Sequence, residues 1–225
     1  MKNQSEIYKK YANVYDLLSD HVVCYQDLRD AHIRNLSFDN GKVMDFGCGT
    51  GNVTIPLLEQ GREVTSIDTS QEMLDILRSK LKGIKDPILL SKNLSDLSED
   101  ELGNGFSAIN MMNVLYHLEN PEEYLNRFSD ILVDKGIVLV SGPAKGIDVD
   151  DLYKRVKADL APGVFENYSK EFSSIYEHNK KLVDSAVLYD RESLEKIANE
   201  SGFLLEQYDD SFYYENNYLA RLIKV

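Results

Sequence analysis

A glycine-rich stretch, V43-M-D-F-G-C-G-T-G-N52, is the feature that most constrains how this chain can fold. Gly47, Gly49 and Gly51 follow an apolar run and precede a helical pattern, which is typical of a strand that turns tightly into a helix. The missing side chains let a ligand lie against main-chain N–H groups. The stretch therefore predicts a ligand-binding turn, and a turn that merely connects a strand to a helix is the alternative.

The spacing of the glycines separates two classes of ligand. The dinucleotide fingerprint is G-x-G-x-x-G, whereas the register here is G-x-G-x-G. Asp45 stands two residues before the first glycine, and its negative charge would oppose a pyrophosphate but favour an ammonium or sulfonium group. The sequence therefore favours a cationic cofactor over an anionic one.

Short β-rich runs alternate with helical patterns along the chain. Strands are expected at Lys42–Phe46, Glu63–Ile67, Pro87–Ser91, Phe106–Met111 and Gly136–Ser141, and helices near 52–60, 71–82, 121–133 and 191–202. This alternation predicts a doubly wound, mostly parallel α/β sheet in one domain, 1–225. Residues 203–225 hold two extended runs joined by E-N-N, a link too short for a crossover helix, so the last two strands should form an antiparallel hairpin.

Two segments fall outside the alternation, residues 1–38 and residues 147–189, and each is expected to form a helical lid or cap on the sheet. In the second segment, apolar and aromatic residues recur at steps of three and four. These residues are Phe165, Tyr168, Phe172, Ile175, Tyr176, Leu182, Val183 and Ala186. Such a face either packs on the core or lines a substrate pocket.

The charge balance excludes several classes of partner. Lys and Arg total 25 against 38 Asp and Glu, so the net charge of −13 would repel a phosphate backbone or an anionic leaflet. No segment approaches the roughly 18 apolar residues needed to span a bilayer. Cys24 and Cys48 show no metal-ligand spacing, and a disulfide at Cys48 would obstruct the glycine turn. We therefore expect a cytoplasmic protein without a nucleic-acid, membrane or metal partner, either a monomer or a homodimer.

The glycine stretch resembles motif I of the class I S-adenosylmethionine-dependent methyltransferases. The resemblance covers roughly residues 40–142 and returns in the C-terminal hairpin, about two thirds of the chain. It implies a Rossmann-like seven-stranded sheet with an antiparallel C-terminal strand, S-adenosyl-L-methionine as the cofactor, and methyl transfer as the activity.

The family's other positions can be matched one at a time. Asp68, in V64-T-S-I-D-T-S-Q-E-M-L74, stands where the family has an acidic residue that binds the ribose hydroxyls, although it could instead cap the next helix. Asn93 matches the position that holds the adenine amino group, and Asp96 is the alternative. The candidate cofactor-binding residues are Tyr11, Asp45, Gly47, Cys48, Gly49, Gly51, Asp68, Thr69, Met73, Asn93, Leu94 and Met111.

Two further stretches carry candidates for the acceptor side of the reaction. Y8-K-K-Y-A-N-V-Y-D16 resembles the family's tyrosine-rich N-terminal helix, in which Tyr11 or Tyr15 would reach the cofactor or the substrate; amphipathic packing is the alternative. M111-M-N-V-L-Y-H-L-E-N-P121 resembles the segment after the family's fourth strand. His117 and Tyr15 are therefore the catalytic candidates, with His117 as the base if the acceptor must lose a proton; a role in shaping the helix end is the alternative for His117. Other candidate pocket groups are Tyr116, Asn113, His178 and Tyr168.

The sequence thus predicts a methyltransferase whose acceptor is a small molecule with an N, O or C nucleophile. Aromatic caps rich in Tyr and Phe are typical of a site that encloses a small organic molecule, and the acidic balance suits a neutral or amine-bearing one. A protein of the same fold that binds the cofactor without transferring methyl remains an alternative. A nucleotide-cofactor oxidoreductase on a related sheet is the alternative with less support.

Overall fold

The computed structural model describes residues 15–38, 40–84 and 87–225, so the prediction for Tyr11 lies outside the described residues. A seven-stranded sheet occupies the centre of the molecule. Its strands are β1 (Lys42–Phe46), β2 (Val64–Ile67), β3 (Ile88–Leu90), β4 (Phe106–Met112), β5 (Leu132–Pro143), β6 (Phe203–Ser211) and β7 (Asn217–Lys224).

The strand order is β3-β2-β1-β4-β5-β7-β6. Neighbouring pairs among β1 to β5 are parallel, whereas β7 runs antiparallel to both β5 and β6. The predicted mostly parallel sheet and its C-terminal antiparallel hairpin are therefore confirmed. The link in the hairpin is longer than E-N-N, because a helical turn at Phe212–Glu215 separates the two strands.

Helices surround the sheet, and none within the described residues combines the length and apolar character needed to cross a bilayer. They are α1 (Asp16–His21), α2 (Val23–Leu36), α3 (Thr54–Glu59), α4 (Gln71–Lys80), α5 (Glu99–Leu102), α6 (Pro121–Ile131), α7 (Val149–Asp159), α8 (Val164–Asn167), α9 (Ser169–Ser185) and α10 (Arg191–Glu200). Strand β5 starts at Leu132 rather than the predicted Gly136, because α6 ends at Ile131 and the chain enters the strand directly.

Apolar side chains alternate between the two faces of the sheet and give each face its own core. In β1, Val43 packs into one cluster, and Met44 and Phe46 pack into the other. The first cluster contains Leu28 from α2, and the second contains Phe128 from α6. Helices therefore cover both faces, as a doubly wound sheet requires.

The cap, which we define as α7, α8 and α9, packs against the N-terminal helices. Phe172 of α9 is 4% exposed and lies in one apolar cluster with Val22, Cys24 and Tyr25. Outside this cluster the cap is mostly polar, and its charges pair at the surface, as in the 2.7 Å contact between Arg155 and Asp151. Its apolar face is therefore turned towards α2 and the carboxyl ends of the strands.

A buried polar chain connects α2 to the end of β1. The Nδ2 of Asn110 donates to Asp45 Oδ1 at 2.8 Å, so the Asn110 oxygen accepts from His32 Nδ1, 2.6 Å away. His32 is fully buried, and burial lowers the pKa of its imidazole to about 4. The imidazole is therefore held neutral in the folded protein.

Replacing this histidine should change how stability depends on pH. The unfolded chain binds a proton at His32 near pH 6.5 and the folded chain only near pH 4, so lowering the pH through 6.5 removes stability. Between pH 7.5 and pH 5.5 the loss from this group is about 1.4 kcal/mol. His32→Asn keeps a donor for Asn110 but does not titrate. Urea unfolding at both pH values should therefore show a smaller loss in the variant, and equal losses in the two proteins would contradict this account.

Candidate active site

The first cavity opens at the carboxyl ends of β1, β2 and β4, where ligands bind in open parallel sheets. Ten of the candidate cofactor-binding and catalytic residues line it. They are Tyr15, Asp45, Gly47, Cys48, Gly49, Asp68, Thr69, Met73, Asn93 and His117. Residues at the start of the N-terminal helix and at the ends of four parallel strands therefore lie around one cavity.

The three glycines of the turn are needed for two different reasons. All have positive φ, of 74° at Gly47, 53° at Gly49 and 89° at Gly51. A Cβ on Gly47 would lie 2.4 Å from Val114, and one on Gly51 would lie 2.3 Å from Leu77, so these two positions permit close packing. A Cβ on Gly49 would meet nothing within 4 Å, which leaves Gly49 as the glycine that faces open space in the cavity.

The carboxylate of Asp68 fixes the glycine turn to the end of β2. Its Oδ2 accepts a hydrogen bond from the Gly49 N–H at 2.9 Å, and its Oδ1 accepts from the Ser70 N–H at 2.8 Å. Helix α4 is capped by Ser70, whose Oγ accepts from the Met73 N–H at 3.3 Å. The alternative in which Asp68 is only a helix cap therefore leaves its contact with Gly49 unexplained.

Burial and hydrogen bonding act on Asp68 in opposite directions. Burial raises the pKa of this carboxyl, while backbone N–H groups of Ser70, Gly49 and Thr69 lower it. Asp45 at the cavity floor is 2% exposed, and its Oδ2 accepts from Thr54 Oγ1 at 2.6 Å. Burial also raises the pKa of Asp45, and the donors to each carboxyl oppose that shift without cancelling it, so the pKa values of both acidic groups of this cavity lie above their ordinary value.

Three of the cofactor-binding candidates among the described residues do not line the first cavity. Met111 is fully buried in the core, whereas the adjacent Met112 lines the cavity, because successive side chains of a strand point to opposite faces. Leu94 is buried in the same core, and Gly51 packs against Leu77. Asn93 lines the cavity and Asp96 does not, which favours Asn93 of the two adenine candidates.

An ionic contact that the sequence analysis missed ties the N-terminal helix to the glycine turn. Asp16 Oδ1 accepts from Thr50 Oγ1 at 2.5 Å, and Asp16 Oδ2 lies 2.7 Å from Lys80 Nζ. Lys80 also donates to the carbonyl of Thr50 at 3.0 Å. The contact joins residues far apart in the chain, so spacing alone gave no signal for it.

A second cavity adjoins the first beneath the cap. The two have similar volumes, about 140 and 150 Å³, so the second has room for a ligand of its own. Tyr15, Tyr25 and Asn113 line both cavities and therefore surround the point where they meet. Tyr15 was a candidate from its motif, and Asn113 from its position after β4. Tyr25 was missed because its spacing on α2 is that of an ordinary packing residue.

Two histidines lie near this junction on opposite elements. His117, after β4, lines the first cavity, and His178, in α9, lines the second. Burial lowers the pKa of His117 to about 4, and nearby His178 lowers it further. Burial also lowers the pKa of His178. Both imidazoles are therefore neutral at pH 7.

Unusual backbone conformations occur beside the second cavity. Asn113, which tolerates the left-handed region well, has φ 59°, and its N–H donates to Ser141 O at 3.1 Å. Tyr213 and Tyr214 also have positive φ, which is uncommon for such side chains. Asn216 holds this turn, because its Nδ2 donates to the carbonyls of Tyr213 and Tyr214 at 3.2 and 3.0 Å.

Among the described residues, six tyrosines line the second cavity, and its other polar side chains are asparagines and His178. Burial raises the pKa of Tyr15 to about 12, with a further increase from the charge of Asp68. Tyr116 and Tyr213 also line the second cavity, and burial holds their pKa values well above the ordinary range. These hydroxyls stay protonated at neutral pH. Tyr168 is outside both linings and stacks on His21, with ring centroids 5.5 Å apart.

Comparison with known proteins shows to which family this chain belongs. The family model described as a methyltransferase domain matches residues 24–208. An uncharacterised methyltransferase of Bacillus mycoides is 33% identical over 154 residues, which are 68% of this chain and 68% of the relative. A ubiquinone biosynthesis O-methyltransferase of Shewanella halifaxensis is 23% identical over 192 residues, 81% of this chain and 77% of the relative.

A solved structure supports the fold over nearly the whole chain. The N-methyltransferase NodS of Bradyrhizobium japonicum, in complex with S-adenosyl-L-homocysteine, has a TM-score of 0.69. The comparison covers 99% of this chain and 98% of NodS, at 14% identity. The sequence has therefore diverged far more than the fold.

The open space at Gly49 gives a test with a matched control. Gly61 also has positive φ, 79°, and a Cβ there would meet nothing within 4 Å, but it does not line the cavity. Gly49→Ala and Gly61→Ala should each lose about 1 kcal/mol of stability from the left-handed backbone. Only Gly49→Ala should bind S-adenosylhomocysteine at least tenfold more weakly by calorimetric titration. Equal affinities would show that the cofactor does not approach Gly49.

Proposed function

We propose, since this chain belongs to the methyltransferase domain family, that its S-adenosylmethionine-dependent activity is directed at a small organic acceptor held in the second cavity. The observation that carries the proposal is the pair of adjoining cavities that share Tyr15, Tyr25 and Asn113. One cavity is built for the cofactor, and the other is closed by the cap. An acceptor in the second cavity reaches the cofactor only at this junction.

The first cavity has the chemical groups that the cofactor needs. Gly49 offers bare main chain beside open space, and Asp68 offers carboxylate oxygens suited to a ribose diol. Asp45 places a carboxyl group at the cavity floor, and the charged form of this group suits a ligand with an ammonium and a sulfonium group. Met73 and Asn93 complete the adenine end in our assignment.

When bound, S-adenosylmethionine supplies a methyl group that is already activated by its positively charged sulfur. The protein must then hold the acceptor nucleophile in line with that carbon and keep water away, and such positioning supplies much of the rate. In the transfer, a bond would form from the nucleophile to the methyl carbon as the bond from that carbon to sulfur breaks, and the electron pair of the broken bond would stay on sulfur. A nucleophile that carries an O–H or N–H would also lose that proton.

We assign the proton acceptance to His117. Its imidazole lines the cavity at the end of β4 and is neutral at pH 7, since its pKa is lowered to about 4. The low pKa makes it a weak base, which is sufficient for a hydroxyl acceptor, because the hydroxyl becomes strongly acidic as its bond to the methyl carbon forms. The hydroxyl of Tyr15 stays protonated and serves as a donor that orients the acceptor.

The size class of the acceptor can be tested without knowing its identity. The protein is incubated with methyl-labelled S-adenosylmethionine and a cell extract divided by filtration into a fraction below about 3 kDa and a macromolecular fraction. We expect the label in organic compounds of the small fraction, with release of S-adenosylhomocysteine. Label only in the macromolecules, or no transfer despite cofactor binding, would contradict the proposed function.

A substitution of His117 tests its role as the base. With labelled S-adenosylmethionine and the extract fraction below about 3 kDa, His117→Asn should lower kcat by about 10²-fold or more. The affinity of this variant for S-adenosylhomocysteine should change little. His21→Asn is the control, because His21 lines neither cavity. Because the pKa of His117 is about 4, the wild-type rate should not fall between pH 8 and pH 6 on account of this group. An unchanged kcat in His117→Asn would show that His117 is not the base.

A further inference from the structure

The two cavities differ in charge. The first is lined by Asp45, Asp68 and Lys92, whereas no Asp, Glu, Lys or Arg occurs among the described residues that line the second. The one titratable basic group there is His178, and burial lowers the pKa of its imidazole. The lining of the second cavity therefore carries no formal charge at neutral pH.

Charged groups of the cap form ion pairs with one another at its surface. Asp150 accepts a hydrogen bond from the hydroxyl of Tyr176 and lies 2.9 Å from Lys180 Nζ. The same Lys180 ammonium lies 5.5 Å from the ring centroid of Tyr176, a ring that lines the second cavity. The cation and the anion beside this ring therefore pair with each other, and neither is among the residues that line the cavity.

An ion in this cavity would lose its hydration without gaining a partner of opposite charge among the described residues. Burying an unpaired charge is strongly unfavourable, and contacts with aromatic rings return only part of that loss. An ammonium nitrogen also has no lone pair with which to attack the methyl carbon. A neutral ligand suffers neither penalty and gains from burial against Phe172, Ile175 and Leu182.

We propose that the second cavity takes an acceptor that is uncharged when bound, an aromatic or alicyclic molecule with a hydroxyl or an unprotonated amine as its nucleophile. This inference rests on the proposed function, because it assumes that the second cavity is the acceptor site. The nucleophile's hydroxyl or N–H lies at the junction near Tyr15, Tyr25 and Asn113, and the rest of the molecule lies under the cap. When the nucleophile is a hydroxyl, the proton released on methylation passes to a neutral imidazole and then to water; a methylated amine keeps its proton as an ammonium and loses it after release into water.

Three probes with the same ring and carbon skeleton test the charge preference: benzyl alcohol, benzoate and benzylammonium. Each is titrated at pH 7.5 into the full chain saturated with S-adenosylhomocysteine, whose sulfur is uncharged, and binding is followed by calorimetry or NMR. Benzyl alcohol should bind at least tenfold more tightly than either ion. Binding of either ion as tightly as the alcohol, or binding of none of the three, would overturn the inference.

Adding a charge to the cavity wall should reverse the preference. Ile175→Arg should tighten benzoate binding at least tenfold and weaken benzyl alcohol binding, because Ile175 lines the cavity. Val187→Arg is the control, since Val187 is 62% exposed and lines neither cavity. Asn179→Arg, at the exposed rim of the same cavity, provides a second test if Ile175→Arg does not fold. An unchanged order of affinities in a folded variant would also overturn the inference.

The titration separates this inference from the proposed function. Binding of S-adenosylhomocysteine to the wild-type protein is measured first and depends on the first cavity alone. Its failure would contradict the cofactor assignment on which the proposed function depends. Normal binding followed by a wrong order among the three probes would contradict only the uncharged-acceptor inference.

Discussion

The hydrogen bond between the Asp68 carboxylate and the Gly49 N–H is the contact on which the rest of the site depends. It joins the ends of β1 and β2, and it is supported by the N–H groups of Gly47 and Cys48, which donate to the Ile67 carbonyl at 2.8 and 3.0 Å. Gly49 thereby keeps its bare main chain towards the cavity. A carboxylate has about four lone-pair sites, so Asp68 can hold the loop and still accept from a diol.

Beneath this contact the protein buries a second carboxylate in a chain of polar groups. Thr54 and Asn110 donate to Asp45, and the Asn110 oxygen in turn requires a donor from His32. Leaving any of these groups without its partner would cost about 1–3 kcal/mol, so the chain specifies one arrangement of α2 against β1 and β4. The helix that carries Tyr25 is positioned by the same chain, since Tyr25 and His32 both belong to α2. The geometry of the junction thus follows from a polar network outside it.

The sequence predicts the sheet better than it predicts the site. Strand β1 was predicted at Lys42–Phe46 and has these bounds, because a short apolar run that ends in glycines has few other conformations. Met111 was a cofactor-binding candidate, but its side chain lies in the core and the adjacent Met112 lines the cavity, since neighbouring residues of a strand point to opposite faces. The contact of Asp16 with Thr50 and Lys80 had no local signal, because it joins segments 34 residues and more apart. Local patterns give elements and motifs, whereas contacts between distant segments depend on the completed packing.

The separation of charge between the two cavities follows from where their residues come from. The first is built from strand ends and their loops, where backbone donors are available to hold Asp68 and Thr54 can hold Asp45, so carboxylates can be buried there with partners. The second is closed by the apolar face of the cap helices, whose backbone N–H and C=O groups are already used within each helix. A charged side chain on that face would be buried without a donor or acceptor, and the charges of the cap lie on its outer surface instead. The fold itself therefore gives a polar site for the cofactor and an apolar one beside it.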